Sequence, residues 1–265
     1  MRIWFLFSFL SFFAYAQQTY IHCGKIFDSQ KGVFINKSTI IVDEGKIIAV
    51  KKGFFDPTNI NDKVIDLKSK FVLPGLIDMH VHLEGEANPK NYLKKYTDNE
   101  ADKAYNSVLY SERTLLAGFT TVRDLGGTGV NVSLRNAINS GKIVGPRIFT
   151  SEKSLGTTGG HADPTNGSSR KLIGDPGPKE GVVNSVDDAR KAVRQRYKNG
   201  ADCIKITATG GVLSVAKSGQ NPQFTFEEIK TIVETARDYG MHVAAHAHGD
   251  EGMYRAVMAG VKTIE

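Results

Sequence analysis

Four times in this chain a helical pattern ends on a glycine and a strand-like run follows at once, at Gly118, Gly200, Gly240 and Gly260. Glycine reaches the left-handed backbone that closes a helix, so these positions read as stops. Before Gly118, the residues Ala101, Ala104, Tyr105, Val108, Leu115 and Leu116 recur at helical spacing. After it comes Phe119-Thr120-Thr121-Val122-Arg123-Asp124, rich in strand formers. Thr97-x-x-Glu100, Ser185-x-x-Asp188 and Thr225-x-x-Glu228 have the form of helix-opening capping boxes. Further strands are expected at residues 146–150, 201–207, 241–246 and 261–265, with shorter helices near 134–138 and 253–258. A helix between each pair of strands implies parallel βα units, because parallel neighbours cannot be joined by a tight turn. An open doubly wound sheet and a TIM-type barrel both satisfy that pattern.

The chemistry separates the two. Residues 71–84 read FVLPGLIDMHVHLE, an apolar strand carrying His80 and His82. Residues two apart share a strand face, so both imidazoles project together, with Met79, Val81 and Leu83 packing behind. Such a pair can hold a divalent metal. Lys205 lies inside the apolar run Cys203-Ile204-Lys205-Ile206. A buried ammonium is costly, so this lysine must be neutral, paired or modified. His246 and His248 repeat the two-residue spacing in a later strand. These groups fall at the C-terminal ends of separate strands, where a TIM-type barrel builds its active site. A barrel needs eight strands, and six patterns are present; the expectation is a barrel truncated within its sixth strand.

Residues 19–70 differ in character, reading as short strands with Asp43-Glu44-Gly45 as a hairpin turn. His22 is expected on the surface of the first. Residues 152–184 form a long segment rich in Gly, Pro and Ser that holds Gly159-Gly160-His161-Ala162-Asp163, and such segments commonly bind or cover ligands. Asp78 and Asp124 could orient histidines or form structural ion pairs. Tyr254 and Arg255, after the fifth strand, are expected to meet a substrate carboxylate. His242 starts its strand, at the wrong end for catalysis, and is read as structural.

The run 71–84 resembles the first barrel strand of the amidohydrolase superfamily. Residues 204–212, IKITATGGV, resemble the branch of binuclear-metal Xaa-Pro dipeptidases and imidazolonepropionase-related amidohydrolases. The resemblance covers residues 25–265. It implies an α/β fold, a (β/α)8 barrel preceded by part of a small β-sandwich. It implies two divalent metal ions, with zinc expected, and carbon dioxide captured by Lys205 as a bridging carbamate. His80 and His82 would hold the more buried metal. His246 would hold the second, with His248 as a substrate contact, or these two roles could be exchanged. His161 would contact the substrate carbonyl. A hydroxide between the metals would attack an amide or peptide C–N bond. The family's sixth-strand histidine and eighth-strand aspartate lie beyond Glu265. Rival readings are a cyclic-amide hydrolase or deaminase of the same superfamily, and a non-catalytic secreted metal-binding fragment. The superfamily's mononuclear deaminases generally lack the lysine. The substrate is expected to be a dipeptide or other small molecule; its identity and any homo-oligomeric state stay open.

The formal net charge is +6, with no basic run interleaved with aromatics, which argues against a nucleic-acid partner. Cys23 and Cys203 are too few and too far apart for a zinc knuckle or disulfide framework. Arg2, an apolar stretch over residues 3–13 and Ala14-Tyr15-Ala16 make a secretory signal peptide. The expected divisions are 1–16 signal peptide, 17–72 sandwich portion and 73–265 incomplete barrel. A periplasmic or secreted location follows, with no membrane association after cleavage. Intact-mass analysis of the exported protein should find Gln17 at the N-terminus; a soluble cytosolic product retaining residues 1–16 would contradict this.

Overall fold

The structure is a computed structural model describing residues 17–88, 91–212, 214–215 and 217–265. The chain divides into two compact units between Pro74 and Gly75.

The first unit is a sheet of β1 (Thr19–Asp28), β2 (Val33–Asp43), β3 (Lys46–Lys52) and β4 (Lys63–Val72), ordered β3-β2-β1-β4. The β2–β3 turn places Glu44 at φ 45° and Gly45 at φ 73°, the primed-turn geometry that matches strand twist. β4 runs on to Val72, so Phe71 and Val72 belong to this sheet and not to the strand that carries the histidines. His22 corrects the expectation of a surface position: it is 1% exposed. The segment after β3 folds back over it, putting its Nε2 2.9 Å from Phe55 O and its ring beside Phe54. Thr39 fastens that segment, donating to Gly53 O at 2.8 Å and accepting from Phe55 N at 3.0 Å.

The second unit alternates strand and helix. Its strands are β5 (Leu76–Val81), β6 (Phe119–Asp124), β7 (Arg147–Thr150), β8 (Ile204–Thr207), β9 (Val243–His246) and β10 (Thr263–Ile264). Its helices are α1 (Asn91–Thr97), α2 (Glu100–Leu116), α3 (Val130–Asn139), α4 (Arg170–Ile173), α5 (Val186–Asn199), α6 (Phe226–Asp238) and α7 (Asp250–Met258). All the strand pairings are parallel and follow chain order, in two triplets, β5-β6-β7 and β8-β9-β10. Leu155 joins the triplets: its N–H donates to Lys205 O at 2.8 Å, and Thr207 N donates to its carbonyl at 3.0 Å. The long segment after β7 is therefore partly sheet, not only a covering loop.

The six strands curve. Three strand spacings of about 4.8 Å would separate β5 from β8 by roughly 14 Å in a flat sheet. His80 Nε2 nevertheless lies 3.5 Å from Lys205 Nζ. Arg123 on β6 likewise reaches Thr263 on β10 at 3.1 Å. The largest core packs α5, α6 and α7 on the second triplet through Val193, Ile204, Ile206, Ile229, Ile232 and Ala256.

All four stop glycines have positive φ, between 72° and 101°. Ser185 and Thr225 accept hydrogen bonds from Asp188 N and Glu228 N and cap α5 and α6. The first box is corrected. Thr97 ends α1, and the pair that opens α2 is Asn99 with Asp102, whose carboxylate accepts from Asn99 N at 2.9 Å. Short α1 was not visible in the sequence pattern.

Behind β7, Arg196 on α5 pairs with Glu152, both deeply buried, and also donates to Pro178 O at 3.1 Å and Lys179 O at 2.6 Å. Glu152→Ala would leave a guanidinium buried without its counter-charge. Urea denaturation should show a loss of about 3–5 kcal/mol; a change below about 1 kcal/mol would mean the pair is structurally idle.

Candidate active site

Three strand ends and one loop supply a cavity of about 290 Å³ lined by His80, His82, Leu125, Ser154, His161, Ala162, Lys205, Thr207 and His246. β5 delivers His80 and, one residue past its end, His82; their rings lie 5.2 Å apart, edge to face. Val81 and Leu83 pack against Val122, Leu134 and Ile148, which fixes the direction of the histidines. Met79, expected behind them, is half exposed instead. β8 delivers Lys205 and β9 delivers His246. His161 comes from the segment after β7 and stacks on His246 with centroids 4.4 Å apart.

Neighbouring acceptors determine which ring nitrogens carry hydrogen. His82 Nδ1 lies 2.9 Å from Gly126 O, and His246 Nε2 lies 3.0 Å from Gly210 O. A carbonyl only accepts, so those nitrogens are the donors. The lone pairs left free are on His82 Nε2 and His246 Nδ1. His80 Nδ1 faces a carboxylate oxygen of Glu265 at 3.3 Å, and its Nε2 faces Lys205. His161 is held from behind: its N–H donates to Gln223 Oε1 at 2.8 Å, and Gly211 packs on its ring. A Cβ at Gly211 would fall 2.4 Å from His161 Cε1, so any side chain there would displace the ring. His161 Nδ1 is buried with no partner.

Burial governs the charges. Lys205 is 3% exposed, and desolvation pulls its pKa down to about 8, opposed by Glu265 and assisted by Arg123. Desolvation brings His246 to about 4 and also lowers His80 and His161, with Lys205 adding repulsion to each. The cavity thus holds three imidazoles, His80, His161 and His246, shifted toward the neutral form beside an amine that can shed its proton near neutrality.

Other expected residues fall elsewhere. His248 lies 4.9 Å from His246, ring to ring, and its N–H donates to Thr209 Oγ1 at 2.9 Å, but it does not line the cavity. Tyr254 is 62% exposed. Arg255 is engaged by Glu251 at 2.7 Å and Phe224 O at 3.0 Å. Neither lines the cavity, because α7 directs both along its flank. Asp78 accepts from His80 N at 3.0 Å. Asp124 interacts with the charge of His82 and accepts from Leu83 N at 3.0 Å, Asn131 Nδ2 at 3.2 Å and Gly126 N at 3.3 Å, tying together the segments that carry His82 and its acceptor. Burial raises its pKa. Cys23 and Cys203 are buried free thiols, and burial pushes Cys203 up to about 12.

Sequence reasoning missed Glu265, Arg123 and Glu84. Arg123 carried the same signal as Lys205, a charge inside a strand. Glu84 accepts from Thr128 N at 2.9 Å and Asn131 N at 3.0 Å, supplying a carboxylate to the start of α3. Among the described residues no three His, Cys, Asp or Glu side chains converge tightly enough to hold a metal by themselves.

The sequence model of the amidohydrolase family matches residues 71–265, and the chain belongs to that family. An ochratoxinase from Aspergillus niger is 32% identical over 272 residues, which cover 94% of this chain and 54% of that protein. A solved Xaa-Pro dipeptidase with methionine bound in its active site is 51% identical with a TM-score of 0.89, covering 94% of this chain and 61% of that one. A solved prolidase complexed with N-methylphosphonate-L-proline is 34% identical with a TM-score of 0.83, covering 94% and 60%. The chain therefore spans between half and two thirds of the length of these relatives.

The lysine sets a pH signature for the metal-free protein. Its pKa falls from 10.5 to about 8 on folding, so between those values the unfolded chain binds more protons and stability rises with pH. In chelator and CO₂-free buffer, Lys205→Met should flatten the rise in urea midpoint from pH 8 to 10.5. Equal slopes in both proteins would mean that the lysine titrates as if exposed.

Proposed function

We propose that the protein is a metal-dependent hydrolase of amide or peptide C–N bonds, acting on Xaa-Pro-type dipeptides. The observation that carries this reading is Lys205, buried within β8 with Nζ 3.5 Å from His80 Nε2 in a cavity lined by four imidazoles. The 51% identity to a Xaa-Pro dipeptidase supports the substrate class. The whole protein would complete an eight-stranded barrel on the six strands described, and would act outside the cytoplasm.

The donor set fits divalent cations. Carbonyl contacts leave one lone pair free on each of His82 and His246, desolvation keeps His80 and His246 neutral, and His161 keeps an unpartnered nitrogen. Lys205 would become an anionic donor beside these imidazoles by taking up carbon dioxide and releasing a proton. A depressed pKa favours that addition, since the free amine is the nucleophile. In this reading His80 and His82 would hold one cation, His246 would help hold the second, and Lys205 as a carbamate would add an anionic ligand for them. When bound, two such cations, zinc being the first choice, would acidify water and polarise the scissile carbonyl.

The chain's own groups do the rest. His161 would donate to the substrate carbonyl, its ring held by His246 and Gly211. Leu125, fully buried, walls the cavity on the β6 side, and Ala162 lines it from the loop. A deaminase or cyclic-amide hydrolase without a bridging lysine would leave Lys205 without a role.

Metal stoichiometry and Xaa-Pro hydrolysis should be measured for the whole protein and for Lys205→Ala and Lys205→Arg. Two cations in wild type and collapse of both metal content and turnover in each variant are expected, since guanidinium stays charged and cannot take up carbon dioxide. A short carboxylic acid should partly rescue the Ala variant. Near-normal turnover in the Arg variant would remove the carbamate and the dipeptidase reading with it.

A further inference from the structure

We infer that Glu265, held in place by Arg123, is the positioning residue that fixes the tautomer and ring orientation of His80. The inference rests on His80 being a metal ligand only for its effect on affinity; the tautomer itself does not depend on that reading.

Glu265 follows β10, across the curved sheet from β5, and its side chain is almost wholly buried. Its two oxygens do different work. Oε1 accepts from Arg123 Nη2 and from Thr263 Oγ1, the latter at 2.6 Å. Oε2 stands 3.3 Å from His80 Nδ1. Arg123 is itself locked, donating Nε–H to Met79 O at 2.9 Å and Nη2–H to Thr263 Oγ1 at 3.1 Å. Met79 directly precedes His80, so one guanidinium grips both the backbone that carries the imidazole and the carboxylate that faces it.

The chemistry points to one proton arrangement. A carboxylate only accepts, so a carboxylate oxygen 3.3 Å away favours hydrogen on His80 Nδ1, which in the neutral ring leaves Nε2 bare. The bare nitrogen is the one that faces Lys205. His82 and His246 meet neutral carbonyls with their second nitrogens, whereas His80 meets a charged acceptor. A carboxylate behind an imidazole fixes its tautomer and raises its basicity as a ligand. Arg123 contacts the other oxygen, so the carboxylate meets a guanidinium on one side and the imidazole on the other.

The test uses ¹⁵N-labelled protein in chelator, with His80 assigned by loss of its signals in His80→Asn. Wild type should show the Nδ1–H tautomer at His80. Glu265→Ala should give the other tautomer or a mixture, and Glu265→Gln should retain more of the native form, since its carbonyl still accepts. Zinc competition against a chromophoric chelator should show affinity about 10- to 100-fold lower for Glu265→Ala. Should that variant unfold, Arg123→Met/Glu265→Ala removes both charges together and should show the same loss of the Nδ1–H form. A His80 carrying hydrogen on Nε2 in wild type, or a tautomer unchanged in the Ala and double variants, would overturn the inference. A tautomer change in a protein that binds no cation would sustain it while the metal-dependent function failed.

Discussion

Everything at the site depends on the backbone seam between β7 and β8. Asp202 N donates to Thr150 O at 2.7 Å, and Asp202 Oδ2 accepts from Thr150 N at 2.8 Å. Arg135 on α3 braces the same carboxylate at 2.6 Å. Five residues further on, Leu155 makes its two bonds around Lys205 and Ile206. Without this seam the two triplets would lose their backbone connection and be tied through side chains such as Arg123 with Thr263 and Glu265, which hold the imidazoles of β5 less firmly to the lysine of β8. Packing adds little to it: the two larger hydrophobic cores lie mainly within one triplet and its helices, and a small cluster of Leu125, Cys203 and Ala244 spans the two.

A second constraint is dielectric. Lys205, His80, His161 and His246 are all moved toward neutrality, and in each case burial is the leading cause. A protein selected for stability alone would place apolar side chains at these positions. Instead the interior mixes fully apolar residues such as Leu125 and Ile206 with groups whose lone pairs are kept free. Two further pairs of charges, Arg123 with Glu265 and Arg196 with Glu152, are buried together.

Much of this was legible in the sequence because periodicity and punctuation are local. The stop glycines, the caps at Ser185 and Thr225, and the strands bearing His80, Lys205 and His246 need only neighbours within a few residues. Their convergence was legible from type and position: histidines and a lysine at the ends of strands in a βα repeat. What could not be read was set by partners distant in sequence. His22 is buried by a segment more than thirty residues away. Arg255 is held by the carbonyl of Phe224, thirty-one residues earlier, and does not line the cavity. Leu155 looked like part of a covering loop because its pairing partner lies some fifty residues on. At the start of α2, two overlapping boxes competed, and the chain used Asn99 with Asp102 because α1 had already taken Thr97.

The seam also bears on how the protein assembles. Pairings within each triplet join strands that follow one another in the chain, whereas the contact of His80 with Lys205 spans 125 residues. Closing a loop of that length costs entropy that the local pairings do not incur. The candidate donors are split between the halves, His80 and His82 from the first and Lys205 and His246 from the second. A group bound by both halves would act as a reversible crosslink across that long loop, coupling occupancy of the cavity to the cohesion of the sheet. Loosening at Thr150, Leu155 or Asp202, none of which would touch a cation, would then register first as weakened ligand retention and only later as unfolding.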